Sequence, residues 1–183
     1  MKFVPIFLED AYIIDPEPVI DERGSFARLF CKKEFVKIGL KSEIVQINQS
    51  ITRQKGTIRG LHYQILPMTE MKIVKCIKGS VFDVIVDIRK GFPTFLKWYG
   101  DVLSEGNQKM IFIPKGFAHG FQTLEDNCEM LYFHTEFYSK EHDRGLKFND
   151  TALGIQWMLD VKEISKKDSS YLPISNNFMG IEL

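Results

Sequence analysis

Two short segments of the sequence carry histidines in settings that could support proton chemistry. His62 lies within RGLHYQ, a run typical of a β-strand, and His119 follows a Pro/Gly turn in IPKGFAHGF. Imidazole is the side chain best suited to moving protons near neutral pH, so a histidine that faces a pocket can act as an acid or a base. Together with Tyr132, Lys167 and Asp168, these histidines suggest an acid–base enzyme.

None of these residues is diagnostic when taken singly. A lone histidine within a strand is more often a hydrogen-bonded core residue, and Tyr132 in the segment MLYF could equally be a core aromatic. Asp168 lies in a lysine-rich segment, where an aspartate is usually solvated. The chemistry therefore depends on whether the fold brings His62, Tyr132 and Asp168 together.

The elements that would position these residues are mostly β-strands. Short runs rich in Val, Ile and Phe, several of them alternating, are separated by Gly, Pro, Asn or Asp. Many strands without intervening helices predict a β-sandwich or a jelly-roll barrel. The predicted strands comprise residues 43–49, 57–63, 70–78, 81–88, 96–103, 109–113, 118–124 and 128–134.

The two ends of the chain differ from this central region. A short helix is predicted over residues 32–40, ended by Gly39, and the segment around 162–170 could form another. Further strand-like pieces occur at residues 3–7, 11–14 and 26–31. These N-terminal pieces could be edge strands or segments exchanged within a dimer. At the other end of the chain, the last dozen residues show no regular pattern. We expect one domain over residues 1–183.

The composition limits the class of protein. The 183 residues allow one sizeable core, and 24 Lys and Arg balance 24 Asp and Glu, so the net charge gives no sign of a nucleic-acid or membrane partner. Cys31, Cys76 and Cys128 show no CxxC spacing and cannot all pair, which favours buried thiols in a reducing compartment. The N-terminus does not read as a signal peptide, and no apolar run approaches the roughly 20 residues that span a bilayer. We expect a cytoplasmic protein.

Several motifs follow one another in an order typical of a known family. PKGFAHGF resembles the second sequence motif of the cupin jelly rolls, and with RGLHYQ it is similar to the nucleotide-sugar 3,5-epimerases, the dTDP-4-dehydrorhamnose 3,5-epimerase family. Further matches are Asp21-x-Arg23-Gly24-x-Phe26, Gln46-x-Asn48-x-Ser50, Lys72, Val81-Phe82-Asp83-Val84, Tyr132, Tyr138 and Ser165-x-Lys167-Asp168. The resemblance covers roughly residues 10 to 170. It implies a mainly β fold, a cupin-type jelly-roll barrel with a few short helices.

The resemblance also implies four catalytic residues. His62 matches the general base that removes a proton from a carbon beside a ketone, and Asp168 matches the carboxylate that orients it. Tyr132 matches the proton donor on the opposite face of the sugar, with Tyr138 as the second choice for this role. Lys72 matches a residue near the ketone oxygen, where an ammonium group stabilises an enolate.

A further set of polar residues matches the residues that contact substrate in the family. The arginines among them suit a diphosphate, because a guanidinium group can bond two phosphate oxygens at once. The expected substrate-binding residues are Arg23, Arg28, Gln46, Asn48, Arg59, His119, Tyr138, Asp143 and Lys167. Three positions depart from the family pattern. Arg28 and Asp143 stand where the family more often has Glu, and Phe133 stands where Lys is common. These changes leave the acid–base set intact but could alter which base or sugar is bound.

Neither a metal nor an organic cofactor is expected. A typical cupin metal site takes a His-x-His pair, a later Glu and the histidine of the second motif, but Gln64 occupies the place of the second His. His134 and His142 have no spacing that would repair the site. No Gly-rich phosphate loop of the dinucleotide type is visible, so NAD is not expected.

The sequence therefore predicts an isomerase, a cofactor-independent epimerase that inverts C3, C5 or both in a nucleotide-diphosphate 4-keto-6-deoxy sugar used for surface polysaccharides. dTDP-linked hexoses and GDP-linked heptoses are both open as substrates. The alternatives are a C3-only monoepimerase, a sugar-nucleotide 3,4-ketoisomerase, a metal-dependent cupin and a non-catalytic sugar-nucleotide-binding cupin. Family members form dimers in which N-terminal strands cross to the partner, so a homodimer is expected.

Overall fold

The computed structural model describes residues 1–183 and consists mainly of short β-strands. The strands are β1 (Lys2–Pro5), β2 (Tyr12–Asp15), β3 (Val19–Asp21), β4 (Gly24–Phe26), β5 (Gln46–Thr52), β6 (Thr57–Gln64), β7 (Lys72–Lys78), β8 (Ser80–Asp87), β9 (Trp98–Ser104), β10 (Met110–Ile113), β11 (Phe117–Thr123), β12 (Cys128–His134), β13 (Asp143–Gly145) and β14 (Glu163–Ile164). The helices are α1 (Lys32–Phe35), continued by a 3-10 turn (Val36–Ile38), and α2 (Lys166–Ser169). None of the helices is long and apolar enough to cross a bilayer.

The strands form two main sheets. One has the order β1-β2-β10-β7-β12-β5, and the other has the order β13-β6-β11-β8-β9 with β14 added beside β6. Apart from the parallel β14–β6 pair, the neighbouring strands are antiparallel. β3 and β4 form a separate hairpin. The prediction of a mainly β, cupin-type jelly roll is confirmed.

The space between the two sheets is apolar over one part of its length and polar over another. Alternate residues of a strand share a face, so Val74 and Cys76 of β7 continue the face that carries Lys72. Val74 and Cys76 pack in the central hydrophobic cluster with residues of both sheets, including Ile85 and Phe121. Lys72 instead lines an open cavity. The same strand therefore builds both the core and the site.

The outer faces of both sheets are also covered. Phe35 and Leu40, from the α1 region, pack with Ile73 of the first sheet. Leu153 and Ile155, from the C-terminal part of the chain, pack with β8. All eight residues of β8 are consequently buried, although its sequence alternates in a way typical of a half-exposed strand.

The termini depart most from the sequence predictions. The strand predicted over residues 26–31 is wrong, because β4 ends at Phe26 and residues 27–31 contain no strand. The predicted helix over residues 32–40 is confirmed as α1 and its 3-10 turn, which Gly39 ends in the left-handed region at φ 97°. The segment around 162–170 forms β14 and then only the four residues of α2.

Candidate active site

A cavity of about 740 Å³ opens between the two sheets. It brings together ten of the thirteen residues predicted for the site from sequence: Asn48, Arg59, His62, Lys72, His119, Tyr132, Tyr138, Asp143, Lys167 and Asp168. Arg23, Arg28 and Gln46 do not line it. Both sheets contribute, so the cavity walls carry residues that are far apart in sequence.

His62 and Asp168 form a hydrogen-bonded pair in one wall of the cavity. His62 Nε2 lies 2.7 Å from Asp168 Oδ1, and the N–H of Gly60 donates to the other carboxylate oxygen at 3.1 Å. Asp168 is placed by α2, whose N-cap Ser165 accepts a hydrogen bond from the Asp168 N–H at 3.0 Å. Burial alone would raise the pKa of Asp168, but the His62 hydrogen bond and the Gly60 N–H hold it below its ordinary value.

The ionised state of Asp168 fixes the tautomer of His62. A carboxylate only accepts hydrogen bonds, so His62 Nε2 must carry the proton that it donates. The other ring nitrogen, Nδ1, is then unprotonated when the imidazole is neutral. His62 can therefore accept a proton at Nδ1, while Asp168 stabilises the imidazolium that results.

Tyr132 lies on β12, in the other sheet from His62. Its hydroxyl is 2.9 Å from Ser50 Oγ on the neighbouring strand β5. Burial raises the pKa of Tyr132, and the hydrogen bond with Ser50 opposes this only in part. The phenol thus stays protonated at neutral pH, which is the state required of a proton donor.

His119 and Asp83 form a second imidazole–carboxylate pair. His119 Nε2 lies 2.8 Å from Asp83 Oδ2, and both side chains are almost completely buried. The His119 ring packs edge-on against Tyr132, with the ring centroids 6.2 Å apart. His119 therefore lines the cavity beside the phenol, whereas Asp83 is not part of the cavity lining.

Lys72 belongs to a charged network on the same side as Tyr132. Its ammonium is 3.1 Å from Glu70, whose second oxygen is 2.7 Å from His134 Nδ1. His134 Nε2 in turn lies 3.3 Å from the Asn48 amide nitrogen. All four side chains line the cavity.

A second group of polar residues surrounds a more exposed part of the cavity. The Tyr138 hydroxyl donates to Asp143 at 3.0 Å, and the Lys167 ammonium pairs with the same carboxylate. Gln46 does not line the cavity, but its side-chain oxygen accepts a hydrogen bond from the Tyr138 N–H at 3.2 Å. The Arg59 guanidinium is held by Thr52 Oγ1 at 2.9 Å. These cations and the exposed ring of Tyr138 suit a ligand with both anionic and flat aromatic parts.

Arg23 and Arg28 lie outside the cavity of their own chain. Arg23 is in the β3–β4 hairpin and pairs with Asp21, while Arg28 pairs with Glu34 of α1 at 2.7 Å. Their prediction as substrate contacts is not supported within a single chain.

Three residues of these pairs were not selected from sequence: Glu70 and His134, which line the cavity, and Asp83, which pairs with His119 but does not line it. A signal existed for two of them, because Glu70 and His134 each lie two positions from a predicted catalytic residue, Lys72 and Tyr132. Asp83 lay within a family motif but without an assigned role.

The cavity offers no set of three His, Cys, Asp or Glu side chains placed to hold a metal ion. Its histidines instead pair singly with carboxylates: His62 with Asp168, His119 with Asp83 and His134 with Glu70. Gln64 is engaged with the backbone, since its amide donates to the Met68 and Phe137 carbonyls and accepts from the Ser139 N–H.

Comparisons with known proteins point to one family. The family model described as dTDP-4-dehydrorhamnose 3,5-epimerase matches residues 5–176. A protein of that name from Sinorhizobium fredii is 41% identical over 187 residues, covering 99% of this chain and 96% of its own length. One from Shigella flexneri is 44% identical over 169 residues, covering 92% and 93%.

The fold comparison gives the same result. The crystal structure of dTDP-6-deoxy-D-glucose-3,5-epimerase from Legionella pneumophila Philadelphia 1, in complex with dTDP-4-keto-L-rhamnose, superposes with a TM-score of 0.91. It is 36% identical, and the match covers 98% of this chain and 97% of that one. The chain therefore belongs to the dTDP-4-dehydrorhamnose 3,5-epimerase family and is an isomerase that epimerises a nucleotide-linked 4-keto-6-deoxy sugar.

Proposed function

We propose that this chain inverts both C3 and C5 of a dTDP-linked 4-keto-6-deoxyhexose, with His62 as the base and Tyr132 as the acid. The observation that carries the proposal is their placement on different sheets. His62 is on β6 and Tyr132 on β12, and both line the cavity between the sheets. A sugar held between them would meet a proton acceptor on one face and a proton donor on the other.

The proposed reaction begins at the ketone, which acidifies the hydrogens on the two adjacent carbons. His62 Nδ1 takes a proton from C3 or C5, and the electron pair moves onto the C4 oxygen to form an enolate. Asp168 stabilises the imidazolium, and the Lys72 ammonium stabilises the enolate oxygen. Tyr132 then protonates the carbon from the opposite face, so the configuration inverts. The tyrosinate regains its proton and His62 releases its own before the second centre reacts.

The choice of dTDP is supported by the relatives rather than by the residues alone. Both curated relatives carry dTDP in their names, and the Legionella pneumophila structure contains dTDP-4-keto-L-rhamnose. In this chain, Arg59 and Lys167 supply cations for a pyrophosphate, and the exposed Tyr138 ring supplies a stacking surface for a base.

The proposal is tested by incubating the protein in D2O with dTDP-4-keto-6-deoxyglucose and following deuterium and configuration at C3 and C5 by NMR. We expect deuterium at both carbons and an inverted product, and we expect the same result after treatment with a chelator. Exchange and inversion at C3 alone would make the protein a monoepimerase. Turnover of a GDP-linked 4-keto heptose but not of the dTDP sugar would overturn the substrate assignment.

We also propose that the protein acts as a homodimer in the cytoplasm. The β3–β4 hairpin exposes Val19, Ile20 and Phe26, each by at least 70%. β5 is an edge strand of its sheet and exposes Ile47 and Ile51. Apolar side chains beside an unpaired strand edge are features that a second copy could cover. The cytoplasmic location is supported by the three cysteines, which are unpaired.

A dimer would also give Arg23 a role, because the β3–β4 hairpin of one subunit could carry Arg23 to the cavity of the other subunit. Analytical ultracentrifugation of the wild type is expected to show a dimer. Ile20→Lys in the hairpin should shift the protein towards monomer and lower its activity, whereas Leu172→Lys, at a similarly exposed C-terminal position, should not. A monomeric and fully active wild type would contradict the proposal.

A further inference from the structure

Glu70 contacts both Lys72 and His134, but the proposed reaction gives a role only to Lys72. Glu70 is buried, with a side-chain exposure of 7%, in the wall of the cavity just before β7. One of its oxygens forms a salt bridge with the Lys72 ammonium, and the other accepts a hydrogen bond from His134 Nδ1. Burial alone would raise the pKa of Glu70, but Lys72 and His134 hold it below its ordinary value. The carboxylate is therefore ionised and can only accept hydrogen bonds.

An ionised Glu70 determines how His134 presents its ring. Because the carboxylate cannot donate, His134 Nδ1 must carry the proton, and a neutral ring then leaves Nε2 as an acceptor. The Asn48 amide nitrogen lies 3.3 Å from this Nε2, so it donates one of its two hydrogens there. Its second N–H and its carbonyl oxygen are left for other partners. Asn48 is one of the residues expected to bind substrate.

The network also contacts the proposed acid. The His134 ring lies nearly parallel to the Tyr132 ring, with an interplanar angle of 22° and centroids 6.2 Å apart. The two residues are two positions apart on β12 and so share a face. His134 thus lies between the phenol, the Glu70 carboxylate and the Asn48 amide.

A second lysine on β7 shows that a buried ammonium in this fold does not need a carboxylate. Lys75 is as buried as Lys72, but it donates to the backbone carbonyl of Gln108 at 2.8 Å and does not line the cavity. Of Lys72 and Lys75, only Lys72, which lines the cavity, pairs with a carboxylate, and that carboxylate also holds an imidazole. This contrast favours a role for Glu70 in the site over a purely structural ion pair.

We infer that Glu70 and His134 are positioning residues that aim the Lys72 ammonium at the substrate ketone and orient the Asn48 amide towards the substrate. The inference rests on the proposed function for the role of Lys72. Glu70 acts on Lys72 directly and on Asn48 through the His134 tautomer. Aiming the Lys72 ammonium stabilises the enolate, so losing this effect should lower kcat. Orienting the Asn48 amide supports substrate binding, so losing this effect should raise KM.

Kinetics of matched variants separate the two effects. Glu70→Gln keeps the shape but removes the charge, and it should lower kcat by about tenfold. His134→Asn places an amide near Nδ1 and keeps the donor to Glu70, but it loses the acceptor for Asn48, so KM should rise by about fivefold. His134→Gln can place an oxygen near Nε2 and should raise KM less than His134→Asn does. Glu43→Gln, which breaks the exposed Lys32–Glu43 pair outside the cavity, serves as the control.

A double-mutant cycle shows whether Glu70 acts through Lys72. In a Lys72→Met background, Glu70→Gln should produce no further loss of kcat, because the ammonium that it positions is gone. The same tenfold loss in both backgrounds would overturn this part of the inference. The inference would also be overturned if Glu70→Gln and His134→Asn each kept kcat and KM within twofold of the wild type.

A measurement without substrate keeps the inference testable if the variants fold poorly or the sugar is not turned over. Ring ¹⁵N NMR of His134 in the intact, unliganded wild type should show the proton on Nδ1. Glu70→Gln should reduce that preference. A His134 ring protonated mainly on Nε2 in the wild type would overturn the inference. Lack of turnover with the expected tautomer would instead overturn only the proposed function.

Discussion

His62 Nε2 lies 2.7 Å from Asp168 Oδ1, although 106 positions separate the two residues in the chain. The contact forms because β14, just before α2, pairs in parallel with β6, the strand that carries His62. Asp168 is also fixed by the Gly60 N–H, two residues before His62. The orientation of the imidazole is therefore built into the sheet.

We predict that Asp168→Asn lowers kcat/KM by about 100-fold, within the range ascribed to a positioned acid or base. The amide cannot stabilise the imidazolium, and it can turn its own N–H towards Nε2 and favour the wrong tautomer. Steady-state kinetics would test this, with exposed Asp160→Asn as the matched control. A loss of less than threefold would show that Asp168 is not needed by the base.

Replacing Tyr132 should separate proton exchange from inversion. In Tyr132→Phe, His62 can still remove a proton and return a deuteron to the same face, because its side chain is 36% exposed and can exchange with solvent. We expect deuterium at C3 or C5 in D2O, with inverted product reduced by at least about 100-fold. His62→Ala should abolish both. Inverted product from Tyr132→Phe at the wild-type rate would assign the proton donor to another residue, with Tyr138 as the next candidate.

The alkaline limit that Tyr132 sets on activity should lie above the ordinary tyrosine pKa of about 10. Burial raises the pKa of Tyr132, so the phenol keeps its proton beyond that point, and the Ser50 hydrogen bond works in the opposite direction. Because the raised pKa favours the neutral form in the native state, this contribution to stability is fully present below pH 10. It is lost as the pH rises through the native pKa.

The prediction can be checked by titrating tyrosinate absorbance in the wild type and in Tyr132→Phe. The difference should correspond to one phenol that ionises above pH 10, and kcat/KM should show no loss from this group below that pH. Ser50→Ala should raise the pKa further, since it removes the hydrogen bond that lowers it. A difference titration centred below pH 10 would contradict the assignment.

Tyr171 should support the base through its ring and not through its hydroxyl. Gly145 lies opposite His62 in the β13–β6 register, and a Cβ there would overlap the Tyr171 ring. The ring fills this space and packs edge-on against His62, with the centroids 6.3 Å apart. The Tyr171 hydroxyl is buried and makes no hydrogen bond of ordinary geometry, although the Lys167 ammonium lies near it.

We therefore expect Tyr171→Ala to lower kcat/KM by about fivefold and to destabilise the fold by about 2 kcal/mol, because a partly buried ring is lost. Tyr171→Phe should remain within twofold in kcat/KM and keep its stability. Thermal unfolding and steady-state kinetics of the two variants provide the test. Equal losses in both would show that the hydroxyl matters after all.

The central strands were predictable because their signals are local. Strands β6 to β12 follow runs of β-branched and aromatic residues bounded by turn residues, and their observed limits lie within two residues of the predicted ones. The hairpin Val19–Phe26 and the short strands β13 and β14 were missed. Segments of two or three residues are too short to show a period, and their pairing partners decide whether they are strands.

The sequence by itself determined which residues are candidates for the chemistry, because His62, Lys72, Tyr132 and Asp168 match family positions in order along the chain. Only the tertiary structure decided which of them meet. It placed His62 and Tyr132 on different sheets and joined Glu70 to His134 across 64 positions. It also left Arg23 and Arg28 outside the cavity of their own chain. The physical reason is that strand periodicity fixes the face on which a side chain lies, whereas the opposing partner is fixed by non-local pairing and by burial.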